Sequence, residues 1–384
     1  MRKIISLENL IYLTVFALPA YLLRFNFLGV STNAFDCLMG LSILSWLITY
    51  RRKIDCGVIL KRRLLVFSVG LLFFGIFISV LLNKNYAVGA GIIKSWFLLP
   101  GLFCLAIRGV VEKKKRRNVF GVYYVSAFFV ALVSLGYYFF GTLTYDLRLQ
   151  GFFNSPNYLA MYLAPAIFIG YGLFPEAKAK KRRLIIVSGA VIIWALYLTY
   201  SYASWLAIFG SFVLIFVIEK KIDWKRGLVG LLLLVALFFS QVGKNKFSDL
   251  VGIDNRSSFS SRAMIWQSAE RILGDSWLWG IGAGNFQEKY LEYQKYFPPY
   301  LEWAVPHPHN LYLAFWLYGG IFGLVGFLAL IYVWFLAIVR SQKNPELKFI
   351  ALGIMFYVLL HGLVDTTYFK NDLAVVFWLL FVLL

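Results

Sequence analysis

Apolar runs about as long as a bilayer is thick recur from one end of this chain to the other. Two of them are LLVFSVGLLFFGIFISVLL at residues 64–82 and LYLAFWLYGGIFGLVGFLALIYVWFLAIV at residues 311–339. About 20 apolar residues in a helix cross the hydrocarbon core, where the backbone groups must be bonded within the protein. The chain is only 15% charged, whereas soluble domains are about a quarter charged. This pattern predicts an all-α integral membrane protein.

The apolar runs predict about twelve transmembrane helices in a single polytopic membrane domain over residues 1–384. The stretch between the ninth and tenth spans, residues 242–308, is by far the longest connection, and we expect it to form one large extracytoplasmic loop. The predicted spans are 8–24, 31–50, 64–82, 87–107, 119–141, 157–174, 184–200, 203–218, 227–241, 309–339, 347–364 and 371–384.

Basic residues cluster in alternate loops and account for most of the net charge of +20. Short cytoplasmic loops attract lysine and arginine, so this alternation predicts that both termini are cytoplasmic. Membrane topology therefore explains the charge without a nucleic-acid partner, and binding of anionic lipid headgroups is the alternative. The loops concerned are 51–63, 108–117, 178–183, 219–226 and 340–348.

The large loop is too rich in aromatic residues for a solvated linker. Its segment SSRAMIWQSAERIL, residues 260–273, has apolar residues at helical spacing, including Met264 and Trp266. We expect an amphipathic helix there, lying at the outer membrane interface. The same helix carries Arg262, and a guanidinium group suits a phosphate or diphosphate because it keeps its charge and donates two parallel hydrogen bonds. Further basic residues make this loop cationic: Lys244, Lys246, Arg256 and Arg271.

Two shorter outer connections also carry polar residues. In RLQGFFNSPNYLA, residues 148–160, Arg148 is the only basic residue of its loop, and Asn154 and Asn157 lead into the next span. These residues either contact a substrate, or Asn157 caps the helix and Arg148 anchors the loop at the headgroups. In the hairpin TYSYASWLA, residues 199–207, we expect Ser201 to cap or pack a helix rather than to act as a nucleophile.

Two of the three histidines meet at the start of the tenth predicted span: His307 lies just before it, and His309 and Asn310 lie in its first turn. A helix N-terminus offers unpaired N–H groups and a partial positive charge, which suits an anion. A neutral imidazole there can accept a proton from a hydroxyl group, and an imidazolium can stabilise phosphate oxygens. The structural alternative is that His309 and Asn310 cap the helix while His307 is exposed.

Taken in order, these stretches resemble the O-antigen ligase and polymerase superfamily of bacterial membrane glycosyltransferases. The pattern is His309-Asn310, nine residues, then Gly320-Ile321-Phe322-Gly323. The stretches RLQGFFNSPN and SSRAMIWQSAERILGDSWLWGIGAGNF are similar to two further loops of the family. The resemblance covers residues 145–330, the O-antigen ligase-like core. One departure is Tyr202, which stands where family members often have arginine after the serine of the short hairpin.

The resemblance implies a GT-C-like bundle that takes a glycan from undecaprenyl diphosphate, held in the outer leaflet of the cytoplasmic membrane. The acceptor is a hydroxyl group on a glycolipid, a glycan or a protein, so ligase, polymerase and protein O-oligosaccharyltransferase all remain open. The alternative from a different functional class is a solute transporter of the bicarbonate type. The predicted catalytic residues are His309, Arg262 and Arg148.

The remaining predicted site residues would bind substrate. They are Asn310, Asn154, Asn157, Ser201, Tyr202, Trp266 and His307. The acidic residues of the outer face are scattered, and diphosphate is already a good leaving group. We therefore predict a reaction without metal or other cofactor.

Overall fold

The computed structural model describes residues 6–27, 30–50, 63–220, 224–243, 258–298, 304–340 and 344–384, and this part of the chain is almost entirely helical. Every predicted span overlaps an observed helix. The first half of the chain forms α1 Leu7–Phe16, α2 Ala34–Tyr50, α3 Arg63–Leu82, α4 Tyr86–Ile92, α5 Leu99–Val110, α6 Arg116–Phe139 and α7 Pro156–Leu173. A π-helical turn, Ile93–Leu98, makes α4 and α5 continuous.

The second half of the chain is helical in the same way. It forms α8 Ala179–Leu198, α9 Tyr202–Ile218, α10 Trp224–Phe239, α11 Ser258–Ser276, α12 Phe286–Tyr293, α13 Leu311–Arg340, α14 Pro345–His361 and α15 Asn371–Leu379. Short 3-10 turns are Leu18–Leu22, Lys113–Lys115, Gln294–Tyr296 and Leu380–Leu383. In the described residues the exception to the helical pattern is an antiparallel ribbon of β1 Arg24–Phe27 and β2 Val30–Asn33, which the sequence reading did not predict.

Four helical stretches are long and apolar enough to cross a membrane: Arg63–Leu82, Tyr86–Val110, Lys113–Phe139 and Leu311–Arg340. Several shorter apolar helices accompany them. The helical, strongly apolar character of the chain agrees with the predicted membrane protein. The count of twelve spans and the sidedness of the loops remain predictions.

The longest helix, α13, packs against α3 through glycines. A Cβ atom added at Gly75 would lie 2.4 Å from the backbone nitrogen of Gly323, and one at Gly326 would lie 2.4 Å from that of Leu72. Residues without a side chain let two helix backbones approach closely, which is the usual packing device between helices in lipid. The contact fixes α13, and with it the histidine segment that precedes the helix.

α13 breaks at Gly320, which has φ +61° and ψ −165°. The preceding connection repairs the lost helical hydrogen bonds, because Ile281 N–H donates to Leu317 O at 2.7 Å and Ile321 N–H donates to Leu278 O at 3.2 Å. A Cβ atom at Gly320 would lie 2.1 Å from Leu278 O, so only glycine fits there. The glycine-rich segment after α11 is thus a packing element that holds the outer part of α13.

Backbone hydrogen bonds draw several connections together at one end of the bundle. Leu149 N–H donates to Leu198 O at 2.9 Å, and Leu311 N–H donates to Gly362 O at 2.7 Å. The first bond places the loop before α7 beside the end of α8, and the second places the start of α13 beside the loop after α14. The polar side chains of these connections meet there.

Candidate functional site

A buried carboxylate, Asp365, lies at the centre of the polar cluster and joins side chains from three distant parts of the chain. His309 Nδ1 is 3.1 Å from Asp365 Oδ1. Asn157 Nδ2 donates to Asp365 Oδ2 at 3.2 Å, and Arg262 Nη2 lies 3.9 Å from the same oxygen. One carboxylate therefore holds an imidazole, an amide and a guanidinium group in a single site.

Arg148 reaches this carboxylate through an intermediate residue. Its Nη2 donates to Asn157 Oδ1 at 2.7 Å, and its Nε donates to Thr199 O at 2.7 Å. Its Nη1 is 3.8 Å from Asp146 Oδ2. Arg148 is buried, and these contacts fix its guanidinium group in one orientation, contrary to the headgroup-anchor alternative. The capping alternative for Asn157 is also wrong, because Ser155 caps α7 and Asn157 uses its side chain in the cluster.

Arg262 comes from the first turns of α11, the helix that the sequence predicts over 260–273. Its Nε donates to Val364 O at 2.8 Å, next to the carboxylate that faces its Nη2. The helix and this backbone contact hold the guanidinium group beside the loop after α14. Two guanidinium groups from separate segments therefore flank the same carboxylate network.

His309 precedes α13 rather than lying in its first turn. Its φ of +46° is unusual for a residue with a side chain, and Trp266 Nε1 donates to His309 O at 3.3 Å. Asn310 is the residue that caps the helix, because its Oδ1 accepts from the backbone N–H groups of Tyr312 and Leu313 at 3.0 Å each. Capping by Asn310 leaves the His309 side chain for the cluster.

The charges around Asp365 determine its ionisation. Burial alone raises the pKa of this carboxyl group, but His309 and Arg262 beside it lower the pKa by more than burial raises it, so the net pKa is below the ordinary value. The ionised carboxylate only accepts hydrogen bonds, so Nδ1 of His309 carries the proton that it shares with Asp365. Nε2 of a neutral His309 is then a proton acceptor, and the carboxylate stabilises the imidazolium that forms.

A cavity of about 460 Å³ adjoins the cluster and has two kinds of lining. Its polar part includes Arg148, Asn157, Ser201 and Arg262. The Oγ atom of Ser201 is buried and, within the described residues, has no hydrogen-bond partner. The apolar part includes Leu206, Ala207, Gly210, Phe238 and Leu360. The cavity therefore combines a cationic end with a hydrocarbon wall.

The other predicted site residues occupy distinct positions. Tyr202 lines the cavity and packs its ring against Phe238 at a centroid distance of 5.3 Å. Asn154 is exposed and lies outside the cavity lining. His307 is half-buried rather than exposed, with Nδ1 2.8 Å from the hydroxyl oxygen of Tyr318. The basic residues Lys244, Lys246 and Arg256 lie outside the described residues.

Sequence reasoning missed Asp365 as a site residue. The available signal was a carboxylate four positions after His361 in an otherwise apolar stretch, a spacing that suits a local pair between these two residues. His361 Nδ1 instead lies 2.8 Å from the hydroxyl oxygen of Tyr357. Asp365 pairs with His309, which is 56 positions away.

The fold and the site define a helical membrane protein whose polar cluster opens on a partly apolar cavity. Residues 185–328 match the protein-family model described as O-antigen ligase. This match confirms the predicted resemblance to the O-antigen ligase superfamily over those residues. No curated protein matches the chain. The matched range includes Arg262 and His309, whereas Arg148, Asn157 and Asp365 lie outside it.

Proposed function

We propose that this protein is a glycosyltransferase that moves a glycan from undecaprenyl diphosphate to an acceptor hydroxyl group on the outer face of the cytoplasmic membrane. The observation that carries the proposal is the cavity with guanidinium groups at one end and a hydrocarbon wall at the other. A lipid diphosphate likewise has an anionic diphosphate group at one end and an apolar chain at the other. The family match supports the coarser class, a membrane glycosyltransferase of the O-antigen ligase and polymerase type.

The cationic end suits the diphosphate. Arg148 and Arg262 present planar donors from two sides, and phosphate oxygens accept such paired hydrogen bonds. Ser201 lines the same wall. As the diphosphate leaves the sugar, its negative charge grows, and these preorganised donors stabilise it. Arginine thus supplies the positive charge that a divalent metal supplies in other phosphate chemistry.

The hydrocarbon wall suits the first isoprene units of the donor. It lies along α9, where Ala203, Ala207 and Gly210 leave space that larger side chains would fill. A Cβ atom added at Gly210 would lie 2.9 Å from a methyl carbon of Leu360. The cavity is therefore narrow at this point and sensitive to added bulk.

His309 is the proposed general base. Nε2 accepts the proton of the acceptor hydroxyl group while the acceptor oxygen forms a bond to the anomeric carbon. The bond from that carbon to the diphosphate oxygen breaks, and undecaprenyl diphosphate leaves with the electron pair. Asp365 holds the imidazole through Nδ1 and stabilises the imidazolium until the proton passes to water. The site is proposed to face the extracytoplasmic side because the basic loops lie at the opposite helix ends.

The test is reconstitution of the purified protein in liposomes with an undecaprenyl-diphosphate-linked glycan. Separate reactions offer a glycolipid, a second donor molecule or a protein as acceptor, each with and without EDTA. We expect glycan transfer that EDTA does not reduce, and the productive acceptor identifies the protein as ligase, polymerase or protein glycosyltransferase. Absence of transfer to every acceptor, together with uptake of labelled solute by the same liposomes, would contradict the proposal.

A further inference from the structure

A second cavity, of about 310 Å³, lies farther along α11 and differs in chemistry from the first. It is at the small end of the roughly 300–1,000 Å³ range of ligand pockets. The two cavities share no lining residue. Aromatic rings dominate the second lining, which consists of Trp266, Glu270, Asn310, Tyr312, Leu313, Trp316 and Leu324.

One face of α11 connects the two cavities. Arg262, Trp266 and Glu270 are four residues apart, so their side chains lie one above another on the same face of the helix. Arg262 lines the first cavity, and the other two line the second. Along this face the guanidinium group of Arg262 comes first, then Trp266 beside the His309 carbonyl group, and then the carboxylate of Glu270.

Backbone contacts hold the aromatic rings of the second cavity in place. Trp266 Nε1 donates to His309 O at 3.3 Å, and Trp316 Nε1 donates to Trp277 O at 2.8 Å. The hydroxyl group of Tyr312 donates to Leu359 O at 3.1 Å. The polar edge of each ring is therefore satisfied by the protein, and its remaining surface is apolar. Such fixed rings form a rigid contact surface at low entropic cost.

Charge distinguishes the second cavity from a phosphate site. Glu270 is exposed at the cavity, and within the described residues no Lys or Arg forms an ion pair with it. A carboxylate repels phosphate but accepts hydrogen bonds from hydroxyl groups. Fixed aromatic surfaces beside a carboxylate suit a ligand that has apolar C–H faces and a rim of hydroxyl groups. A sugar ring has both.

We propose that this second cavity binds a sugar ring of the acceptor, an inference that rests on the proposed transferase function. The donor diphosphate occupies the first cavity, so the second is left for the other reactant. Trp266 contacts the backbone of His309, which places a sugar stacked there beside the proposed base. The inference names the acceptor as a saccharide and assigns its binding to residues that the catalytic proposal does not use.

The first test is steady-state kinetics in liposomes with the donor and each saccharide acceptor. We expect Glu270→Gln and Trp316→Ala to raise the KM for the acceptor at least tenfold while the KM for the donor stays within twofold. Glu288→Gln and Trp194→Ala are matched controls, since both residues are exposed and lie outside the cavity. Unchanged acceptor KM in both cavity variants, with transfer intact, overturns the inference and leaves the transferase standing.

Saturation-transfer NMR keeps the inference testable even if no transfer occurs. The full-length protein in lipid nanodiscs is mixed with methyl glycosides of glucose, galactose and N-acetylglucosamine. We expect saturation of sugar C–H protons by the wild type and a loss of at least fivefold in Glu270→Gln, an exposed position whose change preserves shape. No saturation of any glycoside by the wild type overturns the inference. It is also overturned if mass spectrometry of the purified protein finds a bound phospholipid in the wild type that is absent from Trp316→Ala.

Discussion

The two cavities beside α11 present opposite chemistry along one helix face. The first has Arg148 and Arg262 at its polar end and a hydrocarbon wall beyond them, and the second has Glu270 among aromatic rings. His309 contacts Asp365, which accepts a hydrogen bond from Asn157 of the first cavity lining, and its neighbour Asn310 lines the second cavity. The proposed function assigns donor and acceptor to the two cavities according to this difference in charge. Changes in the first cavity should affect the donor, and changes in the second the acceptor.

The largest expected effect is at the cationic end of the first cavity. Replacing Arg262 with alanine removes a donor to the departing diphosphate, so transfer should fall about 100- to 1,000-fold. Arg271→Ala, an exposed arginine of the same helix, is the matched control. Initial rates in liposomes, with protein abundance measured in parallel, check this. Equal losses in both variants would mean that general surface charge, and not the cavity, matters.

Asp365→Asn tests the centre of the cluster. The amide keeps the shape of the side chain but no longer stabilises an imidazolium on His309, so the turnover rate should fall about 100-fold, the usual size of a general-base contribution. The KM values for donor and acceptor should change less than the turnover rate. The pH profile of the turnover rate in both proteins is the check, and a rate equal to that of wild type would remove His309 from the base role.

Added bulk in the hydrocarbon wall should affect only the lipid. Gly210→Leu narrows the cavity against Leu360, so the KM for the long-chain donor should rise about tenfold, equivalent to about 1.4 kcal/mol of binding free energy. A donor with a short isoprenoid chain should be affected less. Gly121→Leu, at a site with nothing within 4 Å of the added Cβ, is the control. An equal effect on both donors would place the lipid elsewhere.

The last expected effect concerns the pH dependence of stability and His307. Burial lowers the pKa of His307 from 6.5 to about 4. Between these values the unfolded chain binds a proton that the folded chain does not, so stability falls as the pH drops from 6.5 toward 4. His307→Gln should remove this decrease, which is about 2 kcal/mol between pH 7 and pH 5. Thermal unfolding of both proteins in detergent at the two pH values measures the change in stability. An equal loss of stability in wild type and variant would contradict the assignment.

Local patterns predicted much of the fold. Most apolar runs predicted helix ends to within a few residues, because a helix in lipid bonds its own backbone groups and needs about 20 apolar residues to cross. The first span is an exception, since it was predicted over 8–24 and α1 ends at Phe16. The amphipathic spacing around Arg262 and Trp266 predicted α11, observed at Ser258–Ser276. The break at Gly320 was missed, because the apolar pattern continues unchanged through it and its hydrogen bonds come from residues 277–281.

Long-range contacts limited the prediction of the site. Arg148, Arg262 and His309 were chosen because polar groups at the ends of apolar spans are costly without partners, and the structure brings these three side chains into one cluster. Asp365 could not be assigned because its partners lie 56 to 208 positions away along the chain. His307 shares the histidine segment with His309, but a neighbouring tyrosine hydroxyl group holds it, and no local pattern marks that difference.

The most direct measurement is a cryo-electron microscopy structure of the full-length protein in nanodiscs with bound undecaprenyl diphosphate. Diphosphate density should lie between Arg148 and Arg262, within hydrogen-bond distance of both guanidinium groups, with His309 next to it and the isoprenoid chain along Gly210. Density for the diphosphate in another part of the protein, or a structure in which the three side chains are far apart, would contradict the proposed site.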